Sequence, residues 1–597
     1  MATAAIPKNR IPGGAFLIED QPLESVFTVE DFSDEHRQIA KTTDEFARNE
    51  IVPLIEKIEH KEWQVSRDLI KKASELGLAN VDIPEEYGGS EMDKISSSII
   101  ADRIAVSGSF SVTWGAHVGI GTLPIVYFGT KEQKAKYLPK LASGEWVGAY
   151  ALSENTSGSD AMNARTKAVL SADGKHYVLN GEKMWITNAN FADVYIVFAK
   201  VDGEKFTAFI VERGFPGFSV GAEEKKLGIR GSSTAPLIFS DCKVPVGNLL
   251  GEIGKGHVIA FNTLNIGRFK LGAGVVGGAR TSMQNAIAYA KDRKAFGKSL
   301  TQFGLIKEKI ANMAVGIYVG ESLAYRTIGM IDAALSEIDK NAPDAATQLR
   351  KGIEEYAVEC SILKVWGSEM IDRVVDETEQ IYGGYGFVEE YPAERGYRDA
   401  RVNRIFEGTN EINRMIITGW LMKRAMAGQL ALMPAIKQLM DEVLAGPSHA
   451  EPLEGALAAE RTMLANAKKA GLMVSGVATQ KFMMALQDQQ EIMAAMADMI
   501  IEIYAMEAAI LRAQKSAARI GEAASAQAVN SARVYASTAM DKIESAAKKV
   551  LAGCSEGDML RTQMTILRRL FKYEPIDTIA LRQKIADKVI ESGKYVL

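Results

Sequence analysis

Between residues 146 and 257 the hydrophobic period of the chain changes, and no other feature constrains the fold as much. On either side, apolar residues recur at three- and four-residue spacings. Ile306, Ile310, Met313 and Ile317, for example, form the stripe of an amphipathic helix. Within the interval the β-rich runs HYVL, KMWIT, VYIVFAKV and KFTAFIVE follow one another, punctuated by Asp173-Gly174, Asn180-Gly181 and Asp202-Gly203. An Asx-Gly pair between such runs signals a hairpin, because both turn positions need positive φ. The expected fold is therefore mostly α with one central β domain.

At 597 residues the chain is too long for a single compact domain. Residues 1–32 carry Pro and Gly and read as an irregular arm. Residues 33–145 read as an N-terminal helical domain that opens at Ser33, a cap ahead of Asp34 and Glu35. After the β domain (146–257) comes a helical bundle over 258–425. A linker over 426–457 follows, with Pro434 and GPSHAEP, and then an additional helical domain over 458–597. That last block is rich in Ala and Met, and its methionines read as core filler. Ile317-Tyr318, Glu321 and Arg326 match Ile503-Tyr504, Glu507 and Arg512 at identical spacing, through internal duplication or through chance over four positions. Under duplication, residues near 593 align with Glu407, and ESGKYVL has no counterpart to it.

Composition removes several classes of function. Net charge is −5 with no Lys/Arg run, which argues against a nucleic-acid partner. The three cysteines are far apart and never in a CxxC, so a reducing cytoplasm is expected. Six scattered histidines offer no metal-ligand spacing. The start lacks the apolar stretch of a secretory signal, and no apolar run approaches the roughly 18 to 20 residues that span a bilayer. LALMPAIKQLMDEV (430–443) has a polar face short of Lys and Arg, so packing between domains is expected there rather than membrane attachment. GAGVVG (272–277) fits the dinucleotide fingerprint letter for letter, but helical patterns flank it on both sides. Close helix packing is the better account of its glycines.

Five stretches carry the chemistry: ALSENTSGSD (151–160), KMWITNA (183–189), DRKAFG (292–297), QIYGGYGF (380–387) and RIFEGTN (404–410). In this order they closely resemble the acyl-CoA dehydrogenase family, flavoenzymes with a helical–β–helical architecture, over about residues 33 to 420. The stretches GAH…FGTKEQKAKYLPKLASGE, LNIGRF, FGLIKEKIANM and IFEGTNE resemble the very-long-chain branch most, as does the extra C-terminal helical domain. The resemblance implies an acyl-CoA dehydrogenase fold: a helical domain, a β-barrel-like domain, a four-helix-bundle domain and the additional helical domain. It also implies FAD as cofactor, fatty acyl-CoA as substrate, electron-transferring flavoprotein as acceptor in β-oxidation, and a homo-oligomer, at least a dimer.

Alone, Trp185 reads as a core residue and Arg293 as a solvated helix charge. In an alternating strand Trp185 and Thr187 share a face, and the resemblance gives them the positions that flank the flavin ring. Tyr150 and Ser153 match flavin positions too, with Ser153 on the ring edge where negative charge builds. Arg293 matches the residue that binds the cofactor pyrophosphate, as suits a planar, permanently charged fork, with Phe296 beside it. Gln380, Gly383 and Gly384 match the segment that reaches the FAD of a neighbouring subunit; Thr409 completes the cofactor set. Ser159 corresponds to a substrate contact near the thioester, Asn265 and Arg268 to the substrate side, and Phe406 and Gly408 flank the acyl chain. Three positions depart from the family pattern: Asn155, where proline is usual; Asn265, where many relatives carry an acid; and Gly304, where some carry a flavin-contacting Gln.

Glu407 by itself reads as a surface acid at a helix start, since Gly408-Thr409 can end a loop and cap the next helix. The resemblance makes it the catalytic base. Isovaleryl-type relatives keep their base immediately before the arginine matched by Arg268, and here that residue is Gly267, so only position 407 is filled. A base that takes an α-proton from a thioester needs a pKa near neutrality, which an apolar slot supplies by desolvation. The Glu407 backbone N–H can donate to the thioester carbonyl. The competing readings are an acyl-CoA oxidase on the same fold and a non-catalytic helical scaffold.

Overall fold

The computed structural model describes residues 11–339, 342, 345–445 and 453–596. The GPSHAEP stretch and the first ten residues of the arm lie outside the described residues. The first helix, Asp34–Phe46, starts where the sequence places its cap: Ser33 Oγ accepts the His36 N–H at 3.2 Å. Further helices lead to Lys131–Ala142, beyond which the β domain begins. The arm is more ordered than its Pro and Gly suggest. Ala15, Phe16 and Leu17 are buried, and the Phe16 ring lies 4.6 Å from that of Tyr504 in the C-terminal block.

The β domain is one eight-stranded sheet. Its strands are β1 Gly148–Ala151, β2 Lys167–Leu170, β3 His176–Thr187, β4 Val194–Val201, β5 Lys205–Glu212, β6 Phe218–Val220, β7 Thr234–Pro245 and β8 Leu249–Leu250. They run in the order β6-β7-β3-β2-β4-β5-β8, with β1 parallel to the first half of β4. Asp202 and Gly203 both take positive φ, 54° and 79°, and turn β4 into β5 as their chemistry demands. Asn180-Gly181 does not make a turn. It sits inside β3, where the pairing with β7 shifts between Leu179 and Gly181. Asn180 instead trades side-chain hydrogen bonds with Asp241, at 3.0 and 2.9 Å. Bulges and hairpins draw on the same residue types, so only the partner strand tells them apart.

Beyond the sheet, the long helices Gly256–Asp292, Gly304–Ser336 and Ala357–Tyr382, with Asn410–Met426, form the bundle. GAGVVG is interior to the first of these. A Cβ at Gly272 would lie 2.3 Å from Leu363 Cγ, and one at Gly277 1.8 Å from the Asp102 carbonyl, so these glycines serve close helix approach. The stretch read as a linker contains a helix, Leu432–Ala445, whose buried Ile436 and Leu439 carry its apolar side. Ile436 lies against Gly476 of helix Ala458–Phe482, so this face is spent on packing.

The C-terminal block is built on helices Ala458–Phe482, Gln490–Ile520 and Ala526–Cys554, with Gly557–Leu570 and Thr578–Ser592 following. The matched residues of the two helical blocks pair with each other. Arg326 lies over the Tyr504 ring at 4.3 Å and bonds Glu507 at 2.5 Å. Reciprocally, Arg512 lies over the Tyr318 ring at 4.6 Å and bonds Glu321 at 2.8 Å. The contacts are reciprocal between Gly304–Ser336 and Gln490–Ile520. All three cysteines are buried and unpaired. Among the described residues, no helix is long and apolar enough to cross a membrane.

Candidate active site

Glu407 sits in the loop between the short helical turn Arg401–Arg404 and helix Asn410–Met426. Thr409 caps that helix, accepting the Ile412 N–H at 3.2 Å. The loop bends through two successive left-handed residues, Glu407 at φ 57° and Gly408 at φ 78°. The first is costly for a side-chain-bearing residue and persists only where surroundings impose it. The surroundings here are donors aimed at the loop's carbonyls. Arg268 Nε donates to the Glu407 oxygen at 3.2 Å, and Asn413 Nδ2 to those of Gly408 and Thr409 at 2.8 and 3.0 Å. Lys364 Nζ donates to the Gly408 oxygen and to Asn410 Oδ1, each at 2.7 Å.

With its backbone so held, Glu407 directs its carboxylate into the interior. Oε2 is buried and has no hydrogen-bond partner among the described residues. Burial pushes the carboxyl up to about 7, opposed by the charges of Arg268 and Lys364. Arg268 is itself held by Asn265, whose Oδ1 accepts from it at 2.9 Å, so Asn265 orients the arginine without adding charge. Among the described residues the Glu407 N–H has no backbone acceptor. Gly267 faces the carboxylate so closely that a Cβ there would lie 2.6 to 2.7 Å from Oε1, Oε2 and Cδ. The two alternative base positions therefore open on the same point.

A cavity of about 1300 Å³ runs past this point. Glu407, Phe406, Gly267, Leu271, Gly274 and Thr187 line it, and its far reach meets Arg280 and Tyr595. Tyr150 is buried nearby with an unpartnered hydroxyl, its pKa raised by burial and by the Glu407 charge. Trp185 is 60% exposed. It does not share a face with Thr187 by simple alternation. The register shifts again between Lys183 and Ile186, and Trp185 takes φ 59°, so a bulge turns its ring outward. Ser153 is fixed beside this bulge, since its carbonyl accepts the Met184 N–H at 2.9 Å. The buried Lys183–Glu154 pair, 2.7 Å apart, ties the 151–160 stretch to β3 below it. Ser159 is exposed and does not line the cavity.

The remaining candidates gather on an exposed face. Arg293 lies over the Tyr385 ring at 5.6 Å, which places it against the segment carrying Gly383 and Gly384. Gln380, Gly383 and Gly384 are exposed. Phe296 is 95% exposed, its ring edge-on to Phe303 at 6.2 Å. Sequence reasoning missed Lys364 and Asn413. A lysine within the apolar run ILKVW was the available signal for the first.

An outward indole on a bulge, a buried phenol without a partner and a threonine on the cavity wall suit a flat heteroaromatic ring. An exposed arginine among glycines suits a diphosphate. The residues present thus fit FAD. Comparison with known proteins agrees. Models described as acyl-CoA dehydrogenase N-terminal, middle and C-terminal domains match residues 33–145, 149–242 and 254–422. A further acyl-CoA dehydrogenase C-terminal domain model matches 466–569. The chain is 49% identical to a probable acyl-CoA dehydrogenase of Bacillus subtilis over 98% of each protein. It is 41% identical to the human mitochondrial very long-chain specific acyl-CoA dehydrogenase over 61% of its own length, spanning about half (53%) of that relative. A crystal structure of an acyl-CoA dehydrogenase complexed with FAD from Bacillus anthracis superposes with TM-score 0.96 at 49% identity, covering 98% of this chain and all of that one.

Proposed function

The chain belongs to the acyl-CoA dehydrogenase family, FAD-dependent oxidoreductases acting on CH–CH bonds, and we propose that it converts fatty acyl-CoA thioesters to trans-2-enoyl-CoA in β-oxidation. The observation that carries this reading is the buried Glu407 carboxylate, with a free oxygen, facing Gly267 in the cavity wall.

FAD, when bound, supplies the acceptor for the hydride that leaves the β-carbon. Trp185, Thr187, Tyr150, Ser153 and Thr409 would hold its ring, and Arg293 its diphosphate. The protein's own part is proton chemistry and alignment. Glu407 takes the α-proton onto its carboxylate, and a pKa raised to about 7 makes it strong enough as a base yet ionised near neutrality. Its backbone N–H, without a backbone acceptor among the described residues, can donate to the thioester carbonyl and stabilise charge that develops there. Arg268 binds the Glu407 carbonyl rather than its carboxylate, which keeps the base free of an ion pair that would weaken it. Phe406 and Gly408 border the path of the acyl chain.

The same reading makes the enzyme at least a dimer, cytoplasmic, with electron-transferring flavoprotein as acceptor. Exposed Arg293, Phe296 and Phe387, the last two 95% and 82% exposed, supply a face for a second subunit that completes the cofactor site. Anaerobic titration of the purified protein with acyl-CoAs of graded length tests the proposal. Bleaching of bound flavin with formation of the 2-enoyl-CoA supports it; no bleaching with any acyl-CoA refutes it. Reoxidation by air with peroxide release would favour the oxidase, and sedimentation as a flavin-saturated monomer would overturn the dimer.

A further inference from the structure

We propose that Lys364 is the positioning residue of the base: from helix Ala357–Tyr382 it anchors the loop that carries Glu407 and holds the left-handed turn that sends the carboxylate into the cavity. This rests on the reading of Glu407 as base.

Lys364 is fully buried, at 0% exposure, between apolar Leu363 and Val365. An ammonium group in such a place is expensive unless its protons are bonded. A helix that needed only volume here would be served by leucine or methionine. Both acceptors of Lys364 are neutral, and both belong to the same three-residue stretch: the Gly408 carbonyl and Asn410 Oδ1. The charge is therefore spent on the loop rather than on an ion pair.

Its second acceptor is itself locked. Asn410 Oδ1 also accepts from Ser368 Oγ at 3.2 Å, and Asn410 Nδ2 donates to Glu369 Oε1 at 3.1 Å. Arg414 bonds Glu369 at 2.9 Å and Asp498 of helix Gln490–Ile520 at 2.7 Å. A continuous polar brace thus runs from the C-terminal block to the base loop, with Lys364 as its last member. Without Lys364 the Gly408 carbonyl keeps only Asn413, and the strained φ of Glu407 loses a restraint.

Lys364 also sets charge. The groups facing Glu407 are Arg268 from helix Gly256–Asp292, Lys364 from Ala357–Tyr382 and the neutral Tyr150 hydroxyl from β1. Burial lowers Lys364 to about 7, against the pull of Glu407, Glu411 and Glu369, so its charge is partial near neutrality and grows as pH falls, while Cys360 faces Arg268. Among the described residues, removing Lys364 leaves Arg268 as the cation acting against the burial of Glu407. Proton affinity of the base must then rise.

The test is Lys364→Met in the FAD-loaded enzyme, read by anaerobic flavin reduction across pH, with Glu407→Gln alongside. The rate should fall about 10- to 100-fold, the size of effect that follows displacement of a reacting group. The pH midpoint should move up by about one unit, the low end of what an opposite charge contributes. KM for acyl-CoA should change far less than kcat. An unchanged rate and midpoint would show that Lys364 only packs. If the methionine variant does not accumulate with FAD, Lys364→Gln decides, because it keeps an N–H donor but no charge. A raised midpoint supports the proposal and a parental one overturns it. A dead Glu407→Gln beside a parental Lys364→Met sinks only the positioning role, whereas an active Glu407→Gln sinks the base assignment on which it stands.

Discussion

Gly267→Ala isolates the geometry of the base from its chemistry. The added Cβ would meet the Glu407 carboxylate at 2.6 Å, against 3.4 Å for an ordinary contact, so about 0.8 Å must be found. The end of a side chain yields more readily than helix backbone, so the carboxylate moves. Displacing a reacting group by about 1 Å costs on the order of 10²-fold, so flavin reduction by saturating acyl-CoA should fall about 10- to 100-fold. Stability should move the other way, because alanine inside a helix is favoured over glycine by roughly 0.5–1 kcal/mol. Stopped-flow reduction of FAD-loaded protein, with a melting curve beside it, measures both. A variant that melts at or above the parent temperature and reduces its flavin at the parental rate would refute the placement of Glu407 against Gly267.

Three further outcomes are expected. Since Glu407 must lose its proton to act, and burial holds its pKa at about 7, kcat/KM should rise through pH 7; a flat profile between pH 6 and 8 would contradict the burial argument. Arg293→Ala should release FAD more readily on dilution while leaving the flavin-reduction rate of reloaded enzyme close to parental, and unchanged FAD affinity would remove Arg293 from the cofactor site. Glu507→Gln leaves Arg326 and Lys468, bonded to it at 2.5 and 2.6 Å, without their buried counter-charge. Breaking such a cluster costs about 3–5 kcal/mol, so melting and protease resistance of the C-terminal block should drop, and parental values would show that the cluster does not hold the two blocks together.

Much of this architecture is legible in the sequence because the signals are local. The change of period marks the β domain, Ser33 starts a helix, and Asp202-Gly203 turns a hairpin, each for reasons contained within a few residues. What was not legible depends on distant partners. Asn180-Gly181 reads as a turn until β7 and Asp241 make it a bulge. Trp185 reads as a member of an alternating strand until a second bulge turns it outward. Glu407 could be named from RIFEGTN and Arg268 from LNIGRF, but not that Arg268 joins Lys364 and Asn413 in holding the Glu407 loop. Arg268 lies 139 residues away from Glu407 in sequence, and Lys364 lies 44 from Gly408. The reciprocal pairing of Arg326 and Arg512 was visible only as four matching letters until the two helices met.

The central claim is that Glu407 is the base and that its charge, not its bulk, is what the reaction needs. Glu407→Gln keeps the shape, so the variant should still bind FAD and acyl-CoA. Anaerobic stopped-flow mixing with acyl-CoA measures the claim directly. Loss of a positioned general base predicts a fall of about 10² to 10⁴-fold in the rate of flavin reduction. Reduction by the FAD-loaded variant at close to the parental rate would contradict it.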